Sequence, residues 1–340
     1  MRRTLQHKIA RKISLIVLML SISLIEVLAR STVKMQQECL DPTLYTLGNR
    51  EAWVTDVAFS GAGYIVSTRQ DGTLDLWEIN DRKLLRSVQV SQVALSSLNL
   101  APNAPNSMVA GSLDGTMIVI EDFGTYTQSE LAISTSTSGI LDVKFSPTGE
   151  LIASATGDIR GSDNTVRVWS TSTLDMIHEL RGHTWEVTSL AFSRNGEMLA
   201  SGDGDGNIIT WDVQTGELIE QWVAHQSWVQ DLVFSPTEAF LVSVGRDGAI
   251  VAWNATLENA PLFTVWHGIP LYSVAFSADG QVFATGDAEG VITIWDAETF
   301  QQIGAISAHP YPVLSLDFNP VDNTLASGST DGLIKVWCVN

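Results

Sequence analysis

The chain has 340 residues, 45% of them hydrophobic, with 19 Lys and Arg against 38 Asp and Glu for a formal net charge of −19 and only two cysteines. Acidic surfaces repel phosphate, so nucleic-acid binding and docking to anionic lipid, which both rely on Lys/Arg clusters, are disfavoured. Two cysteines are too few for a disulfide scaffold, and no Walker-type phosphate loop, dinucleotide fingerprint or Gly-x-Ser-x-Gly elbow occurs, so no cofactor is expected.

The first element differs from everything after it. Arg2, Arg3, Lys8, Arg11 and Lys12 precede an apolar run from Ile13 to Ile25, followed by Glu26 and Ala29. A basic stretch followed by a short apolar one reads as a secretory signal; the run falls short of the about 20 residues that span a bilayer, although extension to Ala29 would permit an uncleaved anchor. Residues 1–35 are therefore expected to be a signal peptide or short membrane anchor, and the chain extracytoplasmic, secreted or tethered. A start codon mis-assigned upstream of Met19 or Met35 would instead leave it cytoplasmic. Beyond residue 35 the balance is 12 basic against 37 acidic residues, a net charge of −25.

From residue 36 onward one unit recurs. Trp77, Ile120, Trp169, Trp211, Trp253, Trp295 and Trp337 follow one another at 43, 49, 42, 42, 42 and 42 residues. A repeat of roughly 40 to 45 residues containing four short strands marks a propeller blade, so seven units predict seven blades. Each unit opens on an alternating run such as Val187–Phe192, with Phe192, Phe234, Phe276 and Phe318 all 19 residues before their Trp. Period-two alternation is the mark of a half-buried strand. A second run leads into an Asp-Gly turn, as at Asp71-Gly72, Asp114-Gly115, Asp205-Gly206, Asp247-Gly248 and Asp331-Gly332, and a third run ends on the Trp. A polar turn and a fourth strand complete the unit. The chain stops just after the third strand of unit seven, and Thr43–Gly48 aligns with the fourth-strand segment Leu218–Val223. The expected fold is all-β: a seven-bladed propeller of four-stranded antiparallel sheets over residues 36–340, closed by an N-terminal strand that completes the last blade and removes an open edge.

Gly182-His183 and Ala224-His225 near the unit starts, with Trp211-Asp212 and Trp295-Asp296 at the third-strand ends, resemble the WD-repeat family of β-propeller proteins over about residues 40 to 340. Unit two departs from the pattern, with Ile120 and Leu100 for the Trp and Phe. The resemblance implies four structural tetrads in which indole, hydroxyl, imidazole and carboxylate bond in series: His183, Ser201, Asp205, Trp211; His225, Ser243, Asp247, Trp253; His267, Thr285, Glu289, Trp295; and His309, Ser327, Asp331, Trp337. A hydrolase needs one such set with a free nucleophile at a single cleft, whereas this chain repeats it in four blades. No catalytic residue is therefore expected. Histidines in separate blades cannot share a zinc ion. Asp203-Gly-Asp205-Gly-Asn207 resembles the start of a calcium loop but lacks the Gly at its sixth position and the Glu at its twelfth, so no metal site is expected either.

Aligned on the blades, Cys338 takes the place of Asp212 and Cys39 that of Gln214, so the two flank one turn from opposite chain ends. A disulfide is expected if the ring is exported, and two unpaired thiols otherwise. The surface remains. Trp53, Trp185, Trp228 and Tyr311 stand just before first strands, Tyr272 just inside one, and Arg246 beside a turn Asp, all at positions that converge on one face of such a fold. Trp, Tyr and Arg are the common anchors of binding hot spots. The unit-three turn, residues 156–164, is longer than its siblings and carries Asp158, Arg160 and Asp163. The expected function is a noncatalytic scaffold, a monomeric ring that binds a protein or peptide, with a basic contact surface favoured, on its loop face, and that meets membrane only through its N-terminal segment. The alternative is a propeller enzyme or a small-ligand or cation-dependent module using the central channel.

Overall fold

Asp-Gly turns reverse the chain between the second and third strand of most blades, and the reason for glycine is visible at Gly206. Its φ is +86°, and a Cβ there would lie 2.2 Å from the His225 carbonyl oxygen. The contact is used: Gly206 O accepts the N–H groups of Ala224 and His225 at 2.8 and 3.0 Å, and Gly248 and Gly290 accept those of His267 and His309 at 2.7 and 2.9 Å. Each turn thus braces the loop that leads into the following blade.

The structure, a computed structural model, describes residues 43–49, 51–123, 130–134, 138–157, 163–237, 239–254 and 260–339. The expected leader, Cys39, Asp158 and Arg160 lie outside the described residues. The chain divides into Tyr45–Trp337, which holds the blades, and a small unit of residues 1–44 and 338–340, in which only Thr43, Leu44, Cys338 and Val339 are described. Cys338 is disulfide-bonded.

The described residues form 28 strands in seven four-stranded sheets. Blades one to six each run in simple sequence order, as in Val187–Phe192, Met198–Asp203, Asn207–Asp212 and Leu218–Val223 of blade four, from inner to outer strand. The last sheet is ordered Thr43–Gly48, Leu333–Trp337, Leu325–Ser329, Val313–Phe318, so an N-terminal strand supplies its outer edge. Burial follows the alternation: the middle strands are almost wholly buried, while outer strands such as Leu218–Val223 expose every other residue. The apolar cores lie between blades. Ala153, Ala155, Val166 and Val168 of blade three pack with Val187, Leu190, Leu199 and Trp211 of blade four, and Ala200 and Ile208 of blade four pack with Val229, Leu241 and Trp253 of blade five. A blade buries its faces only against its neighbours, which is why Tyr45–Trp337 form one ring instead of two ordinary domains.

Inner strands carry a bulge at their second or third residue in the seven sheets, for example between Val54 and Asp56, between Ile140 and Asp142 and between Val229 and Asp231. An extra residue unpairs the ladder locally and re-aims the side chains that follow. This bulge builds the lining of the central channel.

Candidate functional site

Three of the four Ser/His sets form continuous bonded chains and the blade-six set is broken at its imidazole, with two corrections to the expected membership. In blade five the Trp253 indole N–H donates to Ser243 Oγ at 2.8 Å, Ser243 Oγ lies 2.8 Å from His225 Nε2, and His225 Nδ1 lies 3.0 Å from Asp247. Blade seven repeats this with Trp337, Ser327, His309 and Asp331 at 2.8, 2.8 and 2.9 Å. In blade four, Trp211, Ser201 and His183 are linked in the same way, but the carboxylate is Asp203 at 2.7 Å and not Asp205. Asp203 is fully buried at the strand end, where its other oxygen accepts the N–H groups of Asp205 and Asn207; Asp205 is exposed at the turn tip. In blade six Asp287, not Glu289, pairs with His267, at 3.1 Å through Nε2. That imidazole makes no bond to Thr285, whose hydroxyl accepts the Trp295 N–H at 3.0 Å. Blades five and seven have Gly245 and Ser329 where four and six have Asp203 and Asp287, so their carboxylate must reach back from the turn tip two residues later.

Although burial works against it, the bond from His225 and those from the Ala249 and Gln226 amides hold the Asp247 carboxyl below its usual range. Asp331 is lowered in the same way by His309 and the Leu333 amide, again against burial. The hydroxyls of Ser201, Ser243 and Ser327 are completely buried and already accept an indole N–H. A nucleophile so placed has no route to substrate, and the sets act as braces.

Blade one has Asn49 in place of the His and Arg69 in place of the carboxylate. Arg69 is buried, pairs with Asp75 at 2.6 Å, and donates through Nη1 to Ala52 O at 2.9 Å and to Gly332 O at 3.3 Å. It therefore ties the lead-in loop of blade one to the turn of blade seven. In this blade Ser67 Oγ and Trp77 Nε1 are both left without a hydrogen-bond partner. In blade three Asp163, from the longer turn, pairs with Arg167 at 2.9 Å.

The central channel encloses about 710 Å³. Its most distinctive lining was not read from the sequence: Asp56, Asp142, Asp231 and Asp317 with a single cation, Lys144. These carboxylates stitch inner strands together. Asp56 accepts Leu98 N–H at 2.8 Å, Asp142 accepts Leu190 N–H at 2.8 Å, Asp231 accepts Val274 N–H at 2.9 Å, and Asp317 accepts Phe59 N–H at 2.6 Å. Lys144 Nζ lies 3.0 Å from Asp142. Burial pushes the Asp231 and Asp317 carboxyls up to about 7, against the pull of Lys144. Asp142, Asp56 and Asp231 together raise Lys144 despite burial, which acts the other way. With 27% of its side chain exposed, Lys144 stands in a bore that water can screen.

On the loop face Trp53, Trp185 and Tyr311 are exposed at 47, 43 and 58%. Trp185 is seated on Gly204, where a Cβ would lie 2.2 Å from its ring. Trp228 and Tyr272 are half-buried at the channel mouth, and the exposed Arg246 guanidinium lies 4.0 Å from the centre of the Trp228 ring. The six residues are thus spread around the face and do not form one cluster. Val93 and Leu113, exposed at 39 and 46%, belong to the same face and were missed by a search restricted to aromatics.

Comparison with known proteins agrees with this architecture. The family model described as "IFT122 first beta-propeller" matches residues 159–340, and the one described as "WD domain, G-beta repeat" matches residues 42–78 and 128–170. Pre-mRNA-processing factor 19 homolog 2 of Arabidopsis thaliana is 26% identical over 176 residues, 48% of this chain and 31% of that protein. Apoptotic protease-activating factor 1 of Rattus norvegicus is 27% identical over 171 residues, 48% of this chain and 12% of its own length. Autophagy-related protein 16 of Arabidopsis thaliana is 30% identical over 153 residues, 43% of this chain and 28% of that protein. The aligned region thus spans less than a third of each of these relatives.

Proposed function

The chain belongs to the WD-repeat β-propellers of the IFT122 first-propeller family, and we propose that it serves as a noncatalytic scaffold binding a protein or peptide partner on its loop face. One observation carries the reading: Trp53, Trp185 and Tyr311 stand exposed on a frame whose Ser/His/Asp sets in blades four, five and seven are consumed by internal bonds. Large aromatic rings left in water on a rigid frame supply binding energy at small ordering cost. The acidic balance beyond residue 35 favours a partner with a basic contact surface, and the leader-like residues 1–35 favour presentation outside the cytoplasm.

The test is capture of a partner by the exported propeller and by a Trp53→Ala, Trp185→Ala, Tyr311→Ala triple variant. The variant should lose the partner while its circular dichroism and melting temperature stay near those of the parent, and a partner held by the parent should release as salt rises. Undiminished capture by the folded variant would move the site off the loop face.

A further inference from the structure

We propose that the partner's contact is confined to an arc over blades seven, one and two, formed by Tyr311, Trp53, Val93 and Leu113, and that it is met by a segment pairing apolar side chains with Lys or Arg. The inference rests on the loop-face reading above and narrows it. These four side chains, exposed at 58, 47, 39 and 46%, come from the lead-in loops and turns of three neighbouring blades, whereas in blades four to six Trp185 is the one large apolar side chain that a lead-in loop or turn exposes among the described residues, Val223 and Trp266 standing at the ends of outer strands. Trp228, the aromatic of blade five, already has its face covered by Arg246.

The arc is built on fixed backbone. Trp53 O accepts the Gln70 N–H at 3.0 Å, Ala94 O accepts that of Leu113 at 3.0 Å, and Pro312 O accepts that of Thr330 at 3.3 Å, so each lead-in loop is fastened to the turn beside it. Arg69 adds a clamp found in no other blade among the described residues. Its buried guanidinium holds Ala52 O, the residue before Trp53, and Gly332 O of blade seven, while Asp75 fixes its Nε. The substitution of arginine into the position that holds a carboxylate in blades four and six thus locks the Trp53 loop across the seam between blades seven and one. Leu113 in turn leans on Gly139 of blade three, where a Cβ would lie 3.3 Å from its Cδ2. Pre-formed apolar surface of this kind binds without a large ordering cost.

Charge selects the occupant. The channel opening beside the arc is lined by Thr55 and Leu314 and leads to four Asp side chains, Asp231 and Asp317 among them part-protonated at neutral pH, against Lys144, in a chain of net charge −19. Acidic peptides and anionic lipid are repelled there, and a purely apolar segment leaves the field unanswered. Apolar side chains on the arc with a cation toward the channel satisfy both.

The experiment uses the full chain and labelled 12-residue peptides in which apolar (Leu, Phe) and charged (Arg, Lys or Glu) content vary independently, read by fluorescence anisotropy. Apolar-basic peptides should bind at least tenfold more tightly than basic peptides lacking Leu and Phe, and apolar-acidic peptides should not bind. Trp53→Ala with Tyr311→Ala should weaken the apolar-basic peptides at least tenfold, and Trp185→Ala less than twofold. Val93→Ser with Leu113→Ser, both solvent-facing, gives the same reading should the aromatic pair unfold. If Trp185→Ala weakens binding and neither arc pair does, the arc is wrong and the loop-face reading survives. No effect from any of these variants on peptides that do bind overturns both, and equal binding of apolar-acidic peptides, or binding to neutral phosphatidylcholine vesicles instead of peptides, overturns the chemistry assigned to the occupant.

Discussion

Replacing Asp203 and Asp205 one at a time by Ala separates two carboxylates that sit two residues apart and do different work. Asp203 is fully buried and accepts His183 Nδ1–H at 2.7 Å, Asp205 N–H at 3.0 Å and Asn207 N–H at 2.9 Å. Its removal strands the imidazole N–H inside the blade, at about 1 to 3 kcal/mol, and deletes two amide bonds to a charged acceptor that water can partly replace. The expected loss is about 3 to 5 kcal/mol, a fall in melting temperature of roughly 5 to 10 °C. Asp205 is exposed and its side chain takes no part in the His183 chain, so Asp205→Ala should stay within about 0.5 kcal/mol of the parent. Urea unfolding followed by Trp fluorescence reads both. Equal losses in the two variants, or a loss below about 1 kcal/mol for Asp203→Ala, would refute the argument that the buried carboxylate organises the turn.

Acidity tests the channel. Asp231 and Asp317 have carboxyls raised from 3.8 to about 7, so the stability they contribute is fully present below about pH 4 and is lost as pH climbs through 7. Melting temperature should fall between pH 5.5 and 8, and Asp231→Asn with Asp317→Asn should flatten that slope; a parent that melts higher at pH 8 contradicts the assignment. Deleting residues 36–50 removes the strand that borders Leu333–Trp337 and should yield a chain that aggregates or melts much earlier, whereas a deletion that melts like the parent disproves closure by that strand. Fractionation of a tagged full-length chain, with nonreducing peptide mapping, should find it outside the cytoplasm with Cys39 joined to Cys338. A soluble cytoplasmic product that retains residues 1–35 removes the export reading, and peptides in which Cys39 is free remove the bridge.

The repeat was legible because one large residue per blade must fill the space between neighbours: Trp211 and Trp253 each pack into a core shared with the preceding blade, and their spacing announced the ring. The partner of the imidazole was not, because Asp203 and Asp205 offer identical chemistry two residues apart and an Asp-Gly pair draws attention to the second. What could have separated them was comparison across blades. Where the earlier position is Gly245 or Ser329, the turn Asp is the one carboxylate within reach; where it is Asp203 or Asp287, the shorter path wins. The channel carboxylates escaped for a different reason. A bulge after Val54 and after Val229 inserts one residue into the alternation, so period-two reading misplaces the side of the strand from which Asp56 and Asp231 project.

That same bulge links fold to function. The inner strand is also the edge of its sheet, so amide groups that face away from the sheet cannot pair within it, and the carboxylate of the neighbouring blade supplies the acceptor, as Asp56 does for Leu98 and Asp231 for Val274. The ring is thereby stitched at its narrowest radius, the turns are braced by the imidazole chains, and Arg69 spans the seam between blades seven and one. Every one of these devices spends its polar groups inward. Apart from their buried imidazoles, the lead-in loops, with their backbone bonded and their outer side chains in water, are the part of the molecule whose residues can be changed with least disturbance to a blade. Trp53 and Tyr311 sit on those loops, which is where selection for a partner can act on a frame already stabilised by other residues.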